Sequence, residues 1–180
     1  MSQPKGSSRD RILAAAAEVA REAGAGKLSL DAIAARAGVS KGGLLYNFPT
    51  KAALMRALVD TFLAEFEAEL NAATEDPQAN VDVLTAYVRL SAIECEETKP
   101  GGAGVLAAIA EDPDFLKPIA AFKRRLLDRL KANAADVESV LVIYLALEGM
   151  RSMKLFEIDV LTADERELAV AAMLNRFARG

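Results

Sequence analysis

Apolar residues recur along the chain at intervals of three and four, and no segment sustains an alternation of apolar and polar positions. This spacing is typical of helices that bury one face, whereas strands alternate with a period of two. Alanine is frequent and proline is sparse, which also favours helices. We therefore predict an all-α protein of about nine helices, over residues 8–23, 29–37, 40–47, 50–75, 81–97, 102–110, 113–132, 135–156 and 163–178.

Residues that cap or break helices separate these segments. A side-chain oxygen at a cap can accept a hydrogen bond from an unpaired amide of the first turn, and glycine can adopt the left-handed conformation that ends a helix. The expected caps are Ser29, Ser40, Thr50 and a capping box formed by Thr162 and Glu165, and the expected breaks are Gly24-Ala25-Gly26, Gly38 and Pro49.

Composition narrows the class of protein. The 180 residues are 52% apolar and 27% charged, which excludes a disordered chain and a membrane-embedded one. Histidine is absent and Cys95 is the single cysteine, so neither an internal disulfide, nor a Cys/His zinc site, nor a His-dependent triad can form. We expect no metal and no cofactor. No secretory signal is present, and no apolar run approaches the roughly 18 residues of a membrane span, so a cytoplasmic location is expected.

The net charge of −4 is unevenly distributed. Residues 1–60 carry nine basic and five acidic side chains, a charge of +4, whereas residues 61–180 carry thirteen and twenty-one, a charge of −8. Phosphate binding needs local positive potential rather than a basic whole, so the first third of the chain is the candidate for contact with a polyanion. Chance unevenness is the alternative explanation.

Residues 29–51 have the pattern of a helix-turn-helix. Ala34 is small enough to let the second helix approach the first, and Gly38 lies at the turn. The residues expected to pack inward are Ile33, Ala34, Val39, Leu44 and Phe48. The other face of the second helix remains polar or bare, which suits the major groove of DNA.

The same segment carries a longer motif, which reads Ala37-Gly38-Val39-Ser40-Lys41-Gly42-Gly43-Leu44-Leu45-Tyr46-Asn47-Phe48-Pro49-Thr50-Lys51-Ala52-Ala53-Leu54. Over residues 8–59 the chain resembles the DNA-binding domain of the TetR family of bacterial transcriptional regulators, and the remainder is similar in helical layout and length. The resemblance implies a helix-turn-helix domain over residues 1–50 and a helical ligand-binding and dimerisation domain over residues 51–180, with the fourth helix as connector. It further implies a homodimeric repressor that binds a palindromic operator and is released by a small-molecule effector.

Carried over by position, the resemblance places five residues toward the groove, Lys41, Gly42, Gly43, Tyr46 and Asn47, and three at phosphates, Ser29, Ser40 and Lys51. Gly43 replaces the larger side chain that the family more often has, and Leu45 replaces a common tyrosine, so this recognition surface has fewer functional groups. We hypothesise that the two glycines let the backbone approach DNA closely and that the helix tightens on binding, with simple tolerance of local packing as the alternative. Lys5, Arg9 and Arg11 could form a basic arm that reaches the minor groove, or could be merely solvated.

The later helices supply candidates for an effector pocket, although aromatic residues at helical spacing commonly form core. The candidates are Phe62, Phe66, Tyr87, Ser91, Cys95, Ile109, Phe122, Tyr144, Glu148 and Arg151. Glu148 and Arg151 could fix a polar ligand or form an ordinary intrahelical ion pair. Cys95 lies among glutamates that raise a thiol pKa, which favours a structural role over redox sensing. The carboxylates of Glu111, Asp112 and Asp114 are explained by helix ends rather than by a metal.

A dimer interface is predicted on the last two helices. The segment 140–147 is apolar on every side, which indicates packing against a second subunit or full burial within one chain. The candidate interface residues are Val140, Leu147, Leu168, Ala172, Met173 and Phe177. Two other functions compete with a regulator: a helical interaction module that does not bind DNA, and a small enzyme using Glu148, Tyr144 or Glu94 for acid-base chemistry.

Overall fold

The computed structural model describes residues 6–23, 28–75, 81–97 and 102–177. Over these ranges the protein is all-α, as predicted, with nine helices and no strand. The helices are α1 (Ser8–Ala23), α2 (Leu30–Ala37), α3 (Lys41–Asn47), α4 (Lys51–Glu75), α5 (Val83–Glu97), α6 (Gly102–Glu111), α7 (Lys117–Ala132), α8 (Val137–Leu155) and α9 (Ala163–Phe177). The expected break at residues 24–26 lies outside the described ranges.

The predicted hydroxyl caps are confirmed by their hydrogen bonds. Ser29 Oγ accepts from the amide of Ala32 at 3.4 Å, and Thr50 Oγ1 accepts from that of Ala53 at 3.0 Å. At the start of α9, the amide of Glu165 donates to Thr162 Oγ1 at 3.2 Å while the amide of Thr162 donates to the Glu165 carboxylate at 2.9 Å, which is a complete capping box.

The predicted start of α7 at Pro113 is wrong. Residues 113–116 form a turn and the helix begins at Lys117. The Asp112 carboxylate accepts from the amide of Asp114 at 3.0 Å, and its carbonyl accepts from that of Phe115 at 2.9 Å. These bonds satisfy the local amides in a turn, which places Phe115 in the core with 1% of its surface exposed.

The first compact unit comprises the described parts of Met1–Phe62 and Thr98–Ile119. It contains α1, α2, α3, the first half of α4, and α6. Its core is formed by apolar side chains of α1, α2, α3 and α4, for example Ile12, Ile33, Leu44 and Leu54, together with Ala108 of α6 and Phe115. Burying these large apolar groups contributes roughly 1.5–3 kcal/mol for each full-sized side chain.

The second compact unit comprises the described parts of Leu63–Glu97 and Ala120–Gly180. Its core is built on Leu70 of α4, Tyr87 of α5, Leu130 of α7 and Leu147 of α8, each at most 1% exposed. No helix in the described ranges is both long and apolar enough to span a bilayer.

Asp82 directly precedes α5, and its carboxylate accepts three hydrogen bonds from the first turn of that helix. Its carboxylate accepts from the amides of Leu84 and Thr85 at 3.0 and 2.9 Å and from the Thr85 hydroxyl at 2.6 Å. Partial burial acts to raise the pKa of Asp82, but the hydrogen bonds outweigh it and hold the pKa below its ordinary value. The ionised carboxylate is therefore the form that stabilises this helix end.

Candidate nucleic-acid interface and effector site

The helix-turn-helix forms as predicted around a buried seam. Gly38 has φ 65°, the left-handed conformation that ends α2, and its amide donates to the carbonyls of Ala34 and Ala35. Ile33 and Leu44 have no exposed surface, and Ala34 is 4% exposed. The small side chain at position 34 and the left-handed glycine together let α3 lie across α2 with its other face uncovered.

Serine caps fix the first turns of both helices of the motif, Ser29 at the start of α2 and Ser40 at the start of α3. Ser40 Oγ accepts from the amide of Gly43 at 3.0 Å, so Ser40 and Ser29 both use an oxygen lone pair for capping. A hydroxyl that accepts one bond still has a proton to donate. Ser29 and Ser40 are exposed, so each can cap its helix and also donate to a phosphate oxygen.

The uncovered face of α3 carries part of the predicted recognition set. Lys41, Gly42 and Tyr46 are exposed, and Tyr46 has 89% of its surface free. Gly43, Asn47 and Lys51 are half-buried. Tyr46 is an aromatic donor held outward on a short, capped helix, a geometry that suits contact with a thymine methyl or a phosphate.

The side chain of Asn47 makes two hydrogen bonds that the sequence did not indicate. Its Nδ2 donates to the carbonyl of Gly43 at 2.8 Å and to Ser8 Oγ at 3.3 Å. The first bond closes the last turn of α3 and the second joins α3 to α1. Bidentate recognition of adenine by Asn47 needs an Nδ2 proton and would therefore have to break at least one of these bonds.

Lys41 is paired with a carboxylate that sequence reasoning also missed. Its Nζ lies 3.1 Å from Asp31 Oδ1 and 3.2 Å from Oδ2, and both side chains are more than half exposed. Asp31 lies in the first turn of α2, ten residues earlier in the chain. No local sequence signal distinguishes such a pair from a helix-start acid, because acids are favoured there by the helix dipole alone.

The two adjacent glycines occupy different surroundings. A Cβ built at Gly42 would have Ser40 Oγ at 3.9 Å as its nearest neighbour, whereas at Gly43 it would lie 3.3 Å from that oxygen and 3.8 Å from Val39 Cβ. A side chain at position 43 would therefore crowd the Ser40 cap. A side chain at position 42 would make only an ordinary van der Waals contact.

Of the basic residues predicted to form an N-terminal arm, Arg9 and Arg11 lie in the first turn of α1, and contact with the minor groove stays a prediction. The Arg9 guanidinium stacks over the Phe48 ring, 5.1 Å from its centroid. The Nε of Arg11 is buried and meets no hydrogen-bond partner among the described residues. Lys5 lies outside the described residues.

A further ion pair ties α4 to the turn after α6 within the first unit. Arg56 donates to one carboxylate oxygen of Asp112. The other oxygen accepts from the amide of Asp114 in the turn over residues 113–116. Beside this pair lies an open cleft of about 520 Å³, lined in part by Arg9, Asn47 and Asp60. The prediction of a helix-end role for Asp112 is confirmed, and the pairing with Arg56 adds a tertiary contact that the sequence did not indicate.

The predicted effector residues divide between the two units. Phe62 and Ile109 pack against the core of the first unit. The second unit contains the others, which are Phe66, Tyr87, Ser91, Cys95, Phe122, Tyr144, Glu148 and Arg151. The structure thus brings together the polar candidates with most of the aromatic ones, and leaves Phe62 and Ile109 with the helix-turn-helix.

Arg151 is the centre of the polar cluster in the second unit. It donates to Glu94 at 2.7 Å, to Glu148 and to the buried Ser91 Oγ at 3.4 Å, and Glu148 also accepts from Lys123. The expected intrahelical pair of Glu148 and Arg151 therefore exists, but it also joins α8 to α5 and α7.

Burial and charge set the ionisation of this cluster. Burial disfavours the charged form of Arg151, yet the carboxylates of Glu94 and Glu148 raise its pKa above the ordinary value. Burial also raises the pKa of Tyr87 and that of the Cys95 thiol. Cys95 is thus held as a protonated, buried thiol, as expected for a structural cysteine. Among the described residues, no group of His, Cys, Asp or Glu side chains could hold a metal ion.

The predicted dimer residues also divide. Val140 and Leu147 are fully buried and Met173 is 8% exposed, so the core of a single chain already covers all three. Leu168 is 69% exposed and Ala172 is exposed, while the side chain of Phe177 is outside the described set. The apolar surface available to a partner on α8 instead comprises Val137, Leu141, Val142 and Leu145.

Two family models match the chain. The model described as "Bacterial regulatory proteins, tetR family" matches residues 12–58, and the one described as "Tetracyclin repressor-like, C-terminal domain" matches residues 81–178. A comparison with curated protein sequences finds no significant match.

Solved structures provide similar folds along almost the whole chain. A transcriptional regulator from Rhodococcus sp. Rha1 is 20% identical, with a TM-score of 0.67 and coverage of 97% of both chains. The multidrug binding protein EbrR, solved with ethidium, is 26% identical, with a TM-score of 0.62 and coverage of 97% of this chain and 99% of its own. The fatty acid degradation regulator FadR from Bacillus halodurans is 18% identical, with a TM-score of 0.58 and coverage of 96% and 97%.

Proposed function

The chain belongs to the TetR family of bacterial regulatory proteins, and on that premise we propose that it is a homodimeric repressor, released from a palindromic operator by a small molecule. The observation that carries the proposal is the outward face of α3, with Lys41 and the 89% exposed Tyr46, on a helix whose first turn is capped by the Ser40 hydroxyl. Its partner is chromosomal DNA, so its place of action is the cytoplasm. It acts by binding rather than as an enzyme.

The proposed contacts divide into positioning and recognition. The hydroxyls of Ser29 and Ser40 and the ammonium of Lys51 would meet phosphates, which fixes the position of α3 in the major groove. Lys41 and Tyr46 would meet base edges, and Gly42 and Gly43 would let the backbone come close. Asn47 would contribute chiefly by holding α3 against α1, because its amide is already bonded to Gly43 and Ser8.

A dimer supplies the second half-site. Val137, Leu141 and Leu145 follow one another at intervals of four on α8, and all three are at least 39% exposed. Leu168 and Ala172 offer a similar apolar strip on α9. Exposed apolar strips on two successive helices that both pack against α5 favour a four-helix contact across a two-fold axis, with recognition helices separated by one turn of DNA, about 34–36 Å.

The effector would bind in the second unit and act through α4. This helix runs unbroken over Lys51–Glu75, with Leu54 and Leu58 in the first core and Leu70 in the second. An effector that favours one setting of α4 would change the spacing of two recognition helices and so weaken operator binding, and DNA would weaken effector binding in return. The similarity to the multidrug binding protein EbrR, solved with ethidium, supports a small molecule as the effector.

Binding-site selection tests the proposal directly. The purified protein is incubated with sheared genomic DNA at moderate salt, retained fragments are sequenced, and a footprint is taken on the most enriched one. We expect an inverted repeat with half-site centres about ten base pairs apart and two protein chains per site. Retention independent of sequence, or one chain per site, would contradict it.

The dimer is tested with Leu145→Glu, which puts a charge on a residue that is 67% exposed in one chain. We expect monomers by light scattering and loss of operator binding. Leu106→Glu is the matched control, since Leu106 is 56% exposed on α6, and it should remain dimeric. Equal behaviour of the two variants would remove α8 from the interface.

A further inference from the structure

The polar cluster of the second unit contains two buried hydrogen-bonding atoms without partners. Tyr87 has no exposed surface, and its buried O–H finds no acceptor among the described residues. The Nε of Arg151 is likewise buried and unpartnered within the described part of the chain. Such groups are rare in folded proteins because each loses its hydrogen bonds to water without gaining a replacement.

These two atoms belong to neighbouring side chains. Arg151 lies close enough to Tyr87 to counteract the effect of burial on the tyrosine pKa. The remaining nitrogens of the Arg151 guanidinium are already used, because they donate to Glu94, Glu148 and Ser91. These bonds use three of the five guanidinium N–H groups, and the buried Nε–H has no acceptor among the described residues. An acceptor oxygen could satisfy both this N–H and the O–H of Tyr87.

The ionic charges of the cluster are balanced. The carboxylates of Glu94 and Glu148 are matched by Arg151 and Lys123. Beside them, Arg124 is paired with Asp128 on α7. A charged guest would have to separate one of these half-buried pairs, and the charge left behind would lose its partner where water only partly replaces it.

Aromatic surface adjoins the unpartnered atoms. The ring of Tyr87 stacks on that of Tyr144 with centroids 6.1 Å apart, and Phe66 meets Tyr87 edge to face at 6.2 Å. Tyr144 and Phe66 are only half-buried, so part of their apolar surface is available. The cluster therefore combines donors that need an acceptor with rings that favour an apolar body.

We propose that this cluster binds uncharged, ring-containing molecules that carry a carbonyl oxygen, and that this oxygen accepts hydrogen bonds from Tyr87 Oη and Arg151 Nε. The proposal rests on the proposed function, in that it names the chemical class of the effector. Neither a cation nor an anion is the preferred ligand.

Four compounds with one carbon skeleton test it: indane, 1-indanone, 1-aminoindane and indane-1-carboxylate. Dissociation constants for the full-length protein are taken from the rise in melting temperature with ligand concentration, measured by calorimetry. We expect 1-indanone to bind about tenfold more tightly than indane, because only the ketone satisfies the unpartnered donors, and more tightly than either charged compound.

Tyr87→Phe removes the hydroxyl and keeps the ring. We expect the preference for 1-indanone over indane to fall to about threefold or less, since one of the two donors is lost. Without ligand, the melting temperature of this variant should be unchanged or higher. Thr74→Val is the control, because the Thr74 hydroxyl already donates to the carbonyl of Leu70 at 2.9 Å; it should lower the melting temperature and leave the preference intact.

Four outcomes overturn the proposal: equal binding of 1-indanone and indane, no binding of any of the four compounds, tightest binding of a charged compound, or a lower melting temperature for ligand-free Tyr87→Phe. DNA retention is measured separately on the unmodified protein. If the protein binds DNA independently of sequence but prefers 1-indanone, the proposed function is contradicted and the ligand proposal stands. If the protein selects an operator but shows no preference for 1-indanone, the ligand proposal is contradicted and the proposed function stands.

Discussion

The paired glycines at the start of α3 allow a quantitative test of how this helix is built. Replacing glycine by alanine inside a helix stabilises it by about 0.5–1 kcal/mol when the new methyl group fits. At Gly42 the nearest atom to that methyl group is Ser40 Oγ at 3.9 Å, an ordinary contact. We therefore expect Gly42→Ala to raise the free energy of unfolding by the full amount, roughly 1 kcal/mol.

At Gly43 the same substitution has a cost. The methyl group would lie 3.3 Å from Ser40 Oγ, the atom that accepts from the amide of Gly43 at 3.0 Å. Displacing this oxygen weakens a cap worth about 1 kcal/mol, so the gain and the loss nearly cancel and Gly43→Ala should be close to neutral. Once the cap is removed by Ser40→Ala, Gly43→Ala should regain its full benefit, giving a coupling energy of about 1 kcal/mol in the double-mutant cycle.

Urea unfolding followed by circular dichroism measures all four free energies, and Ser40→Ala with Gly42→Ala is the matched control cycle, for which we expect little coupling. Equal stabilisation by Gly42→Ala and Gly43→Ala, or equal coupling in both cycles, would refute the assignment of Gly43 to the cap. The same variants test the DNA side: if the backbone at Gly42 approaches the duplex, Gly42→Ala should weaken operator binding in fluorescence anisotropy although it stabilises the fold.

Three further predictions concern charged groups. Lys51→Ala should weaken binding to every duplex and reduce the slope of log affinity against log salt by about 1, whereas Lys41→Ala should also lower the ratio of operator to random-DNA affinity, both measured by salt titration. Asp31→Asn should raise affinity for random DNA severalfold, because it frees Lys41 and removes a negative charge beside the proposed phosphate contacts; Asp128→Asn, the same charge change in the second unit, should leave that affinity unchanged. The pKa of Asp82 is lower in the folded than in the unfolded chain, so its contribution to stability is complete above the unfolded pKa and is lost as the pH falls through the folded pKa. Unfolding of the parent and of Asp82→Asn should therefore differ at neutral pH and converge in acid, and a constant difference across this range would contradict the assignment.

The features predicted well from sequence are those in which the interacting groups are three or four residues apart. The caps at Ser29, Ser40 and Thr50 and the left-handed Gly38 follow from local chemistry, and the structure confirms each. The misplaced start of α7 is also a local matter: proline suits a first helical turn, but the Asp112 carboxylate formed a competing turn.

Ion pairs between residues far apart in the chain could not be predicted from the sequence. Lys41 and Asp31, or Arg151 and Glu94, are joined only when separate helices pack, and each partner taken alone has an ordinary local explanation. Phe62 and Phe66 illustrate the same limit within one helix. They lie four residues apart on α4, and helical spacing places them on one stripe, yet they pack against different cores because the helix passes from one compact unit to the next.

The presence of α6 in the core of the first unit has a practical consequence for exchanging parts between regulators. Ala108 and Phe115 are 2% and 1% exposed there, and Asp112 holds Arg56 of α4. A chimera that takes only the first fifty or sixty residues would leave this core open on the side that α6 normally fills. A graft intended to transplant operator preference therefore has to carry two separate stretches of chain, the N-terminal one and the one around residues 102–119.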